Sequence, residues 1–351
     1  LDSILRAAGR ITGLVGTVET RVAGRATPAG RTTPEAADLQ ELFAEMLGAG
    51  CTAASMEVSS HAIDLHRVDG VHFEVAAFTN LTQDHLDYHK TMEEYVAVKR
   101  RLFTDLDVAE RVIDIDGEQG AILAAEVGEC LTVGLSGSAE VRAERVACGP
   151  DSSTFLLVTP WGQADVWLPL AAAFNVGNAL VAAGCALVLG VEVQTVAAGL
   201  SAAPQVPGRL ERVVAGQPFT VLVDYAHTPD GLDKAAEAVR RVTPGRVITV
   251  FGCGGDRDPE KRAPMGAAAA RHSDLVVLTT DNPRSEDPVG IILQIEDGLR
   301  GGETAYETEV DRRTAIARAL AMAGPGDAVL IAGKGHEDYQ ELEDRKVPWS
   351  D

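Results

Sequence analysis

The chain has 351 residues, 46% hydrophobic and 24% charged, a globular composition long enough for about two domains with cores of their own. Its 31 Lys and Arg against 52 Asp and Glu leave a formal charge of -21, which excludes electrostatic binding to nucleic acid or an anionic membrane surface as a starting reading. The five cysteines, Cys51, Cys130, Cys148, Cys185 and Cys253, are odd in number and form no C-x-x-C pair, so they indicate a reducing compartment rather than a disulfide framework or a thiolate zinc site.

Residues 1–9 read as an amphipathic helix closed by Gly9, with no start signal before it, as though cut into mid-element, and no secretory pattern precedes it. A helix is expected over 34–47, where Thr33-Pro34-Glu35 supplies a cap, a first-turn proline and an acid for the helix dipole. A short buried strand follows at 52–58 and an apolar strand at 68–80. Then come a polar, histidine-rich loop and a helix through 93–103. Shorter strands are expected at 111–114, 131–134 and 154–159. The longest uncharged stretch, 166–191, contains Pro169, Asn175 and Asn178 and reads as a buried helix rather than a membrane span, since unpaired amides are costly in lipid. Helices are placed at 175–190 and 195–202. Val206-Pro207-Gly208 forms a turn at which the chain divides into domains 1–207 and 208–351.

Beyond that turn the pattern is regular: strand 220–223, helix 231–242, strand 246–251, helix 261–271, strand 274–279, helices 289–298 and 312–323, strand 328–331. Alternation of this kind predicts a parallel sheet covered on both faces, with ligands beyond the carboxyl ends of its strands. The segments at those ends are Asp224-Tyr225-Ala226-His227-Thr228-Pro229, Gly252-Cys253-Gly254-Gly255-Asp256-Arg257, Asp281-Asn282-Pro283-Arg284 and Gly333-Lys334-Gly335-His336-Glu337. All four are polar or glycine-rich, the strongest site signal in the residues themselves.

Four constellations carry potential chemistry. Glu57-Val58-Ser59-Ser60-His61 and Thr79-Asn80-Leu81-Thr82-Gln83-Asp84-His85-Leu86-Asp87-Tyr88-His89 place carboxylates and imidazoles after neighbouring strands, where Glu57 and His85 are suited to hold magnesium. The plain alternative is a solvated acidic loop. Lys99 lies on a helix whose composition alone reads as a solvated face. The glycine loop at 252–257 offers amides to an anion or is only a tight turn, with Cys253 as a packed small residue. Asp281-Asn282-Pro283-Arg284 sets a guanidinium beside an acid, fitted to a ligand with carboxylate and ammonium groups or to a local surface ion pair.

In this order, Thr32-Thr33-Pro34, the Glu57 and His85 motifs, Lys99, Phe174-Asn175-Val176-Gly177-Asn178, Asp224-Tyr225-Ala226-His227-Thr228-Pro229, Asp281-Asn282-Pro283-Arg284 and Gly333-Lys334-Gly335-His336-Glu337 resemble the Mur ligase family over essentially the whole chain. The resemblance implies an α/β protein with a central parallel-sheet ATPase-like domain and a C-terminal Rossmann-like, doubly wound domain. It implies ATP-dependent addition of meso-diaminopimelate to UDP-N-acetylmuramoyl-L-alanyl-D-glutamate through an acyl phosphate, in the bacterial cytoplasm, by a monomer with no nucleic-acid or membrane partner. By the same resemblance Glu57, His85 and a carbamylated Lys99 (N6-carboxylysine) would bind Mg2+. Thr32, Thr33, Ser59 and Arg67 would hold the nucleotide sugar. Leu65 stands where relatives carry glutamine, so that contact is not carried over. Arg257, Asp281, Asn282, Pro283, Arg284, Gly333 and Glu337 would take the amino acid, Arg284 meeting its second carboxylate. Asn175, Asn178, Arg209, Asp224 and His227 would line the ATP site, although Asn175 and Asn178 also suit capping within a buried helix and His227 suits orienting its own turn.

The family's phosphate loop, G-x-x-G-K-[ST] opening a helix, does not occur in the chain, and neither do its uridine-binding domain and final helix. The expectation is a fragment truncated at both ends that lacks its phosphate cradle and turns over ATP poorly as it stands. The retained motifs favour that reading over a non-catalytic binding or regulatory module. They also favour it over a folylpolyglutamate synthase-like ligase or a metal-dependent hydrolase built on 85–89.

Overall fold

A computed structural model describes residues 1–82, 85–343 and 345–351, and for Asp87 the backbone alone. Contacts divide it into two units, Leu1–Cys148 with Ser152–Pro204, and Gly149–Asp151 with Gln205–Asp351.

The first unit begins with α1 (Asp2–Ala7), β1 (Thr12–Val15), β2 (Glu19–Val22), β3 (Arg25–Pro28), α2 (Ala36–Gly48) and β4 (Ala53–Met56). These strands form a small sheet of order β3-β2-β1-β4, in which β1 runs parallel to β4 and antiparallel to β2. Then follow α3 (Ser60–Asp64), β5 (Phe73–Phe78), α4 (Leu86–His89), α5 (Met92–Thr104), β6 (Val108–Asp114), α6 (Glu118–Val127), β7 (Leu131–Gly134), β8 (Val141–Cys148), β9 (Ser153–Thr159), β10 (Gly162–Leu168), α7 (Ala173–Val188) and α8 (Val193–Ser201). A second sheet has order β10-β9-β8-β7-β6-β5, parallel from β5 to β8 and antiparallel from β8 to β10.

The small residues of α7 have a packing reason. A Cβ on Gly184 would lie 2.8 Å from Val112 and 2.9 Å from Val133, so glycine lets the helix lie directly on β6 and β7. The uncharged stretch 166–191 is not helical throughout: its first residues complete β10, where Val166 and Leu168 are buried and Trp167 between them is exposed. Alternation with a period of two marks a strand. The strand expected over 68–80 is confined to Phe73–Phe78. The sheet β1–β3 and the elements α6, β8 and β10 have no counterpart in the sequence reading.

The second unit contains β11 (Glu211–Arg212), β12 (Thr220–Asp224), α9 (Pro229–Val242), β13 (Val247–Phe251), α10 (Arg262–His272), β14 (Leu275–Leu278), α11 (Pro288–Glu296), β15 (Ala305–Thr308), α12 (Arg312–Met322) and β16 (Ala328–Ala332). A hairpin of β17 (Tyr339–Leu342) and β18 (Arg345–Pro348) completes it. The sheet order is β11-β12-β16-β13-β14-β15, and every strand except β11 is parallel to its neighbours. β13 and β16 are buried at every residue, as strands covered on both faces must be. Thr228 caps α9 by accepting the Gly231 amide, with Pro229 in the first turn. Among the described residues no helix is long and apolar enough to cross a membrane.

Candidate active site

In the first unit Glu57 follows β4, its amide held by the Val15 carbonyl at 2.9 Å. Its Oε2 accepts the Thr17 hydroxyl at 2.6 Å, and that hydroxyl lies 3.1 Å from the Thr32 hydroxyl. Thr33 donates to the Glu57 carbonyl at 2.8 Å and accepts the Ser59 amide at 3.1 Å. This corrects the capping role read into Thr33-Pro34-Glu35: the N-cap of α2 is Glu35, because the Thr33 hydroxyl is taken by the Glu57–Ser59 turn. Ser59 itself caps α3, and Arg67 donates to the Thr33 carbonyl at 3.2 Å. Thr32, Thr33, Ser59, Arg67 and Glu57 therefore share one network.

A second group is built on aromatic rings. His85 adopts a left-handed backbone (φ 57) at the start of α4, with its ring 5.0 Å from that of His61 and 6.1 Å from that of Tyr95. The Lys99 ammonium lies 5.7 Å from the centre of the same Tyr95 ring. His89 is buried, stacked on Tyr95 and 2.8 Å from the Ser60 hydroxyl. The structure thus gathers His85 and Lys99 around Tyr95 and sets Glu57 among the threonines. No group of three or more His, Cys, Asp or Glu with metal-holding geometry occurs among the described residues. Gln83, Asp84 and the Asp87 side chain, named in the histidine motif, lie outside the described residues.

Asn175 and Asn178 bond locally at the start of α7: Asn175 donates to the carbonyl of Ala171, just before the helix, at 2.7 Å and accepts from Asn178 at 3.5 Å. Beside this turn lies Asp114, which the sequence reading passed over as the end of a strand. Its Oδ2 is 3.8 Å from where a Cβ of Gly177 would stand, and burial pushes its carboxyl up to about 6.

In the second unit hydrogen bonds join the four strand-end segments: Gly333 N to the Asp224 carbonyl, Gly255 N to the Asn282 carbonyl, and Asn282 to Glu337. Asp224, closing β12, accepts the Leu210 amide at 2.7 Å and the Ala226 amide at 2.8 Å, and burial raises its carboxyl. The Arg209 guanidinium lies 5.0 Å over the Tyr225 ring, which neighbours His227 and His336. His227 Nδ1 is 2.9 Å from the Tyr225 carbonyl, so it orients its own turn.

The glycine loop after β13 is pressed against the loop after β14. A Cβ on Gly255 would come within 1.9 Å of the Pro283 carbonyl. The Gly255 amide donates to the Asn282 carbonyl at 2.9 Å and the Asp256 amide to Glu286 at 2.6 Å. Of the two readings left open for this loop, an anion cradle or a tight turn, these two amides follow the second, since the neighbouring loop engages both. Cys253 is packed as expected, 3.5 Å from the Met265 sulfur, its thiol pushed up to about 12 by burial.

Asp281 is buried, and its carboxyl is raised by desolvation. Gly333 (φ 111) permits its approach: a Cβ there would lie 2.5 Å from Asp281 Oδ2. Asn282 Nδ2 donates to Glu337 Oε2 at 2.8 Å. Arg284, also left-handed (φ 50), donates from Nη1 to the Gly255 carbonyl at 2.7 Å. Arg257 is exposed at the rim of the same loop. Three buried cations escaped the sequence reading as contributors: Lys334; Arg262, which grips both Glu286 oxygens at 2.8 Å; and Arg312, bonded to the Asp351 carboxylate. For Arg262 and Arg312 the only signal is an arginine at the start of an expected helix, and for Lys334 it is a place in the segment Gly333-Lys334-Gly335-His336-Glu337.

Residues 1–186 match the Mur ligase middle domain and residues 208–335 the Mur ligase glutamate ligase domain. A Gloeobacter violaceus protein named UDP-N-acetylmuramoyl-L-alanyl-D-glutamate--2,6-diaminopimelate ligase is 48% identical over 97% of this chain and 70% of its own length. A Streptomyces coelicolor protein of the same name is 47% identical over 97% of the chain and 69% of its length. A solved structure bearing that name is 32% identical with a TM-score of 0.68, covering 99% of this chain and 72% of its own. Mycobacterium tuberculosis folylpolyglutamate synthase complexed with ADP has a TM-score of 0.74 at 20% identity over 95% of this chain and 83% of its own, a likeness of fold.

Proposed function

The chain belongs to the Mur ligase family, and we propose that it carries out the reaction for which its relatives are named, the joining of diaminopimelate to UDP-N-acetylmuramoyl-L-alanyl-D-glutamate in peptidoglycan synthesis. It is an ATP-dependent acid–amino-acid ligase. The observation that carries this is the 48% identity to such a ligase over 97% of the chain.

ATP phosphorylates the glutamate carboxylate, and the incoming amine displaces phosphate through a tetrahedral intermediate; both steps depend on alignment and charge neutralisation. In our assignment Thr32, Thr33, Ser59 and Arg67 hold the nucleotide-linked substrate, whose phosphates and carboxylates suit hydroxyl and guanidinium donors. By the family resemblance we assign roles toward ATP to Asn175 and Asn178 of the first unit and to Arg209, Asp224 and His227 of the second, Asn175 and Asp224 by setting turns. Arg257, Asp281, Asn282, Pro283, Arg284, Gly333 and Glu337 receive the amino acid.

In our assignment magnesium would be held by Glu57, a carboxylate oriented by Thr17, by His85, and by Lys99 once carbamylation has replaced its ammonium by an anionic ligand; the two oxygen donors are of the kind the ion takes. When bound by these residues the ion supplies neutralisation of phosphate charge. We place the reaction in the bacterial cytoplasm, catalysed by a monomer without nucleic-acid or membrane partners.

Protein expressed from its complete coding sequence, given ATP and the UDP-linked dipeptide, should form the tripeptide product by mass spectrometry with meso-diaminopimelate and not with lysine. Product with lysine alone would overturn the substrate assignment. Substrate binding without product would point to a binding module.

A further inference from the structure

Lys334 is fully buried at the carboxyl end of β16. An ammonium withdrawn from water is costly unless its hydrogens are matched by acceptors. Its Nζ donates to Asn282 Oδ1 at 2.9 Å and to Glu337 Oε2 at 2.9 Å, while Asn282 Nδ2 donates to the same Glu337 Oε2 at 2.8 Å. The three side chains close a ring of hydrogen bonds. The Tyr339 ring lies against it, 5.6 Å from Nζ.

The ring determines two orientations. Asn282 Oδ1 accepts from Lys334 and from the Glu341 amide at 2.8 Å, so its amide nitrogen must face Glu337. Glu337 commits Oε2 to both donors, and its Oε1 enters no hydrogen bond among the described residues. A carboxylate immobilised through one oxygen presents the other as an acceptor in a set direction, a receptor matched to an ammonium group. Arg284 stands on the same loop as Asn282 and supplies the complementary charge for a carboxylate.

We propose that Lys334 is a positioning residue for substrate selection: through Asn282 and Glu337 it sets the acceptor for the amino acid's second ammonium, and so discriminates diaminopimelate from acids that lack that group. The inference rests on the reading of this site as the diaminopimelate site. Lys334 acts through the other two side chains and takes no part in bond formation.

The test is the ratio of kcat/KM for meso-diaminopimelate to that for aminopimelate with a single amino group, measured on protein from the complete coding sequence. The wild type should prefer diaminopimelate, and Lys334→Met should narrow that preference by about tenfold while the KM for ATP changes by less than about twofold. General damage to the fold lowers both amino-acid rates together and leaves the ratio alone, so an unchanged ratio overturns the proposal. A wild type that accepts both acids equally overturns the site reading and the inference with it. If Lys334→Met does not fold by circular dichroism, Lys334→Gln, which retains a neutral donor, is read by the same ratio: narrowing supports the role and an unchanged ratio overturns it.

Discussion

The Nε–H of Arg284 donates to Oε2 of Glu341 across 2.9 Å, joining the loop after β14 to the hairpin strand β17. The backbones of the same two residues are bonded as well, Arg284 N to Glu341 O at 3.2 Å. With Nη1 held by Gly255, Nη2 is the guanidinium nitrogen that enters no hydrogen bond among the described residues. Arg284→Ala should therefore raise the KM for diaminopimelate by about a hundredfold and leave that for ATP within about twofold. Steady-state kinetics with each substrate varied in turn checks this; equal losses for both remove the assignment.

Lys99 and His85 approach the same Tyr95 ring from α5 and from the histidine loop. If Lys99 carries a carbamate, Lys99→Ala removes an anionic ligand rather than a cation, and short carboxylic acids can fill its place. Product formation by Lys99→Ala should fall by at least about a hundredfold and recover in part with added formate or acetate. No recovery at any acid concentration dismisses the carbamate.

Asp114 gives a pH dependence of known sign. Its folded value, about 6, lies above the ordinary 3.8 because burial disfavours the charged form. A raised carboxyl contributes stability that is fully present below the ordinary value and is lost as pH rises through the folded one. Asp114→Asn keeps an acceptor for the Asp116 amide, which Asp114 Oδ1 meets at 2.9 Å, and removes the ionisation. For a half-exposed group, solvent screening reduces the effect to about 1 kcal/mol, so the variant should melt about 2–4 °C higher near about pH 8 and equally near about pH 4. A difference of the same size at both values would mean that ionisation is not the cause.

Gly333 combines a left-handed φ of 111 with a neighbour, Asp281 Oδ2, 2.5 Å from any added Cβ. Both strain and clash oppose a side chain there, and the obstructing carboxylate is buried and cannot swing into water. Gly333→Ala should lose about 3 kcal/mol in urea unfolding, with an unchanged m-value, and lose amino-acid use before nucleotide binding. Full stability would mean that this backbone is free to relax.

Much of the second unit can be read from its residues. The helix expected over 231–242 is Pro229–Val242, and the strand expected over 220–223 is Thr220–Asp224. Four- and five-residue apolar runs between amphipathic helices carry two distinct periods, and Thr228-Pro229 is a local capping signal. Strands β2 and β3 are not legible in the sequence because Glu19–Val22 and Arg25–Pro28 mix charged and small residues and β3 is wholly exposed, so no apolar period marks them. In β10 the alternation was hidden inside a longer uncharged run.

Residue type and order were sufficient for the parallel α/β pattern of the second unit and for the four strand-end segments, because burial periodicity and turn chemistry act over a few neighbouring residues. Which charge meets which group was not available there. Thr33 reaches the Glu57 turn instead of capping its own helix, Lys334 closes a ring with Asn282 and Glu337, and Arg284 is held by Glu341. A hydroxyl or buried cation bonds to whatever acceptor the folded chain brings within about 3 Å, and each of Thr33, Lys334 and Arg284 finds one far off in sequence, in the Glu57 turn, at Asn282 and at Glu341.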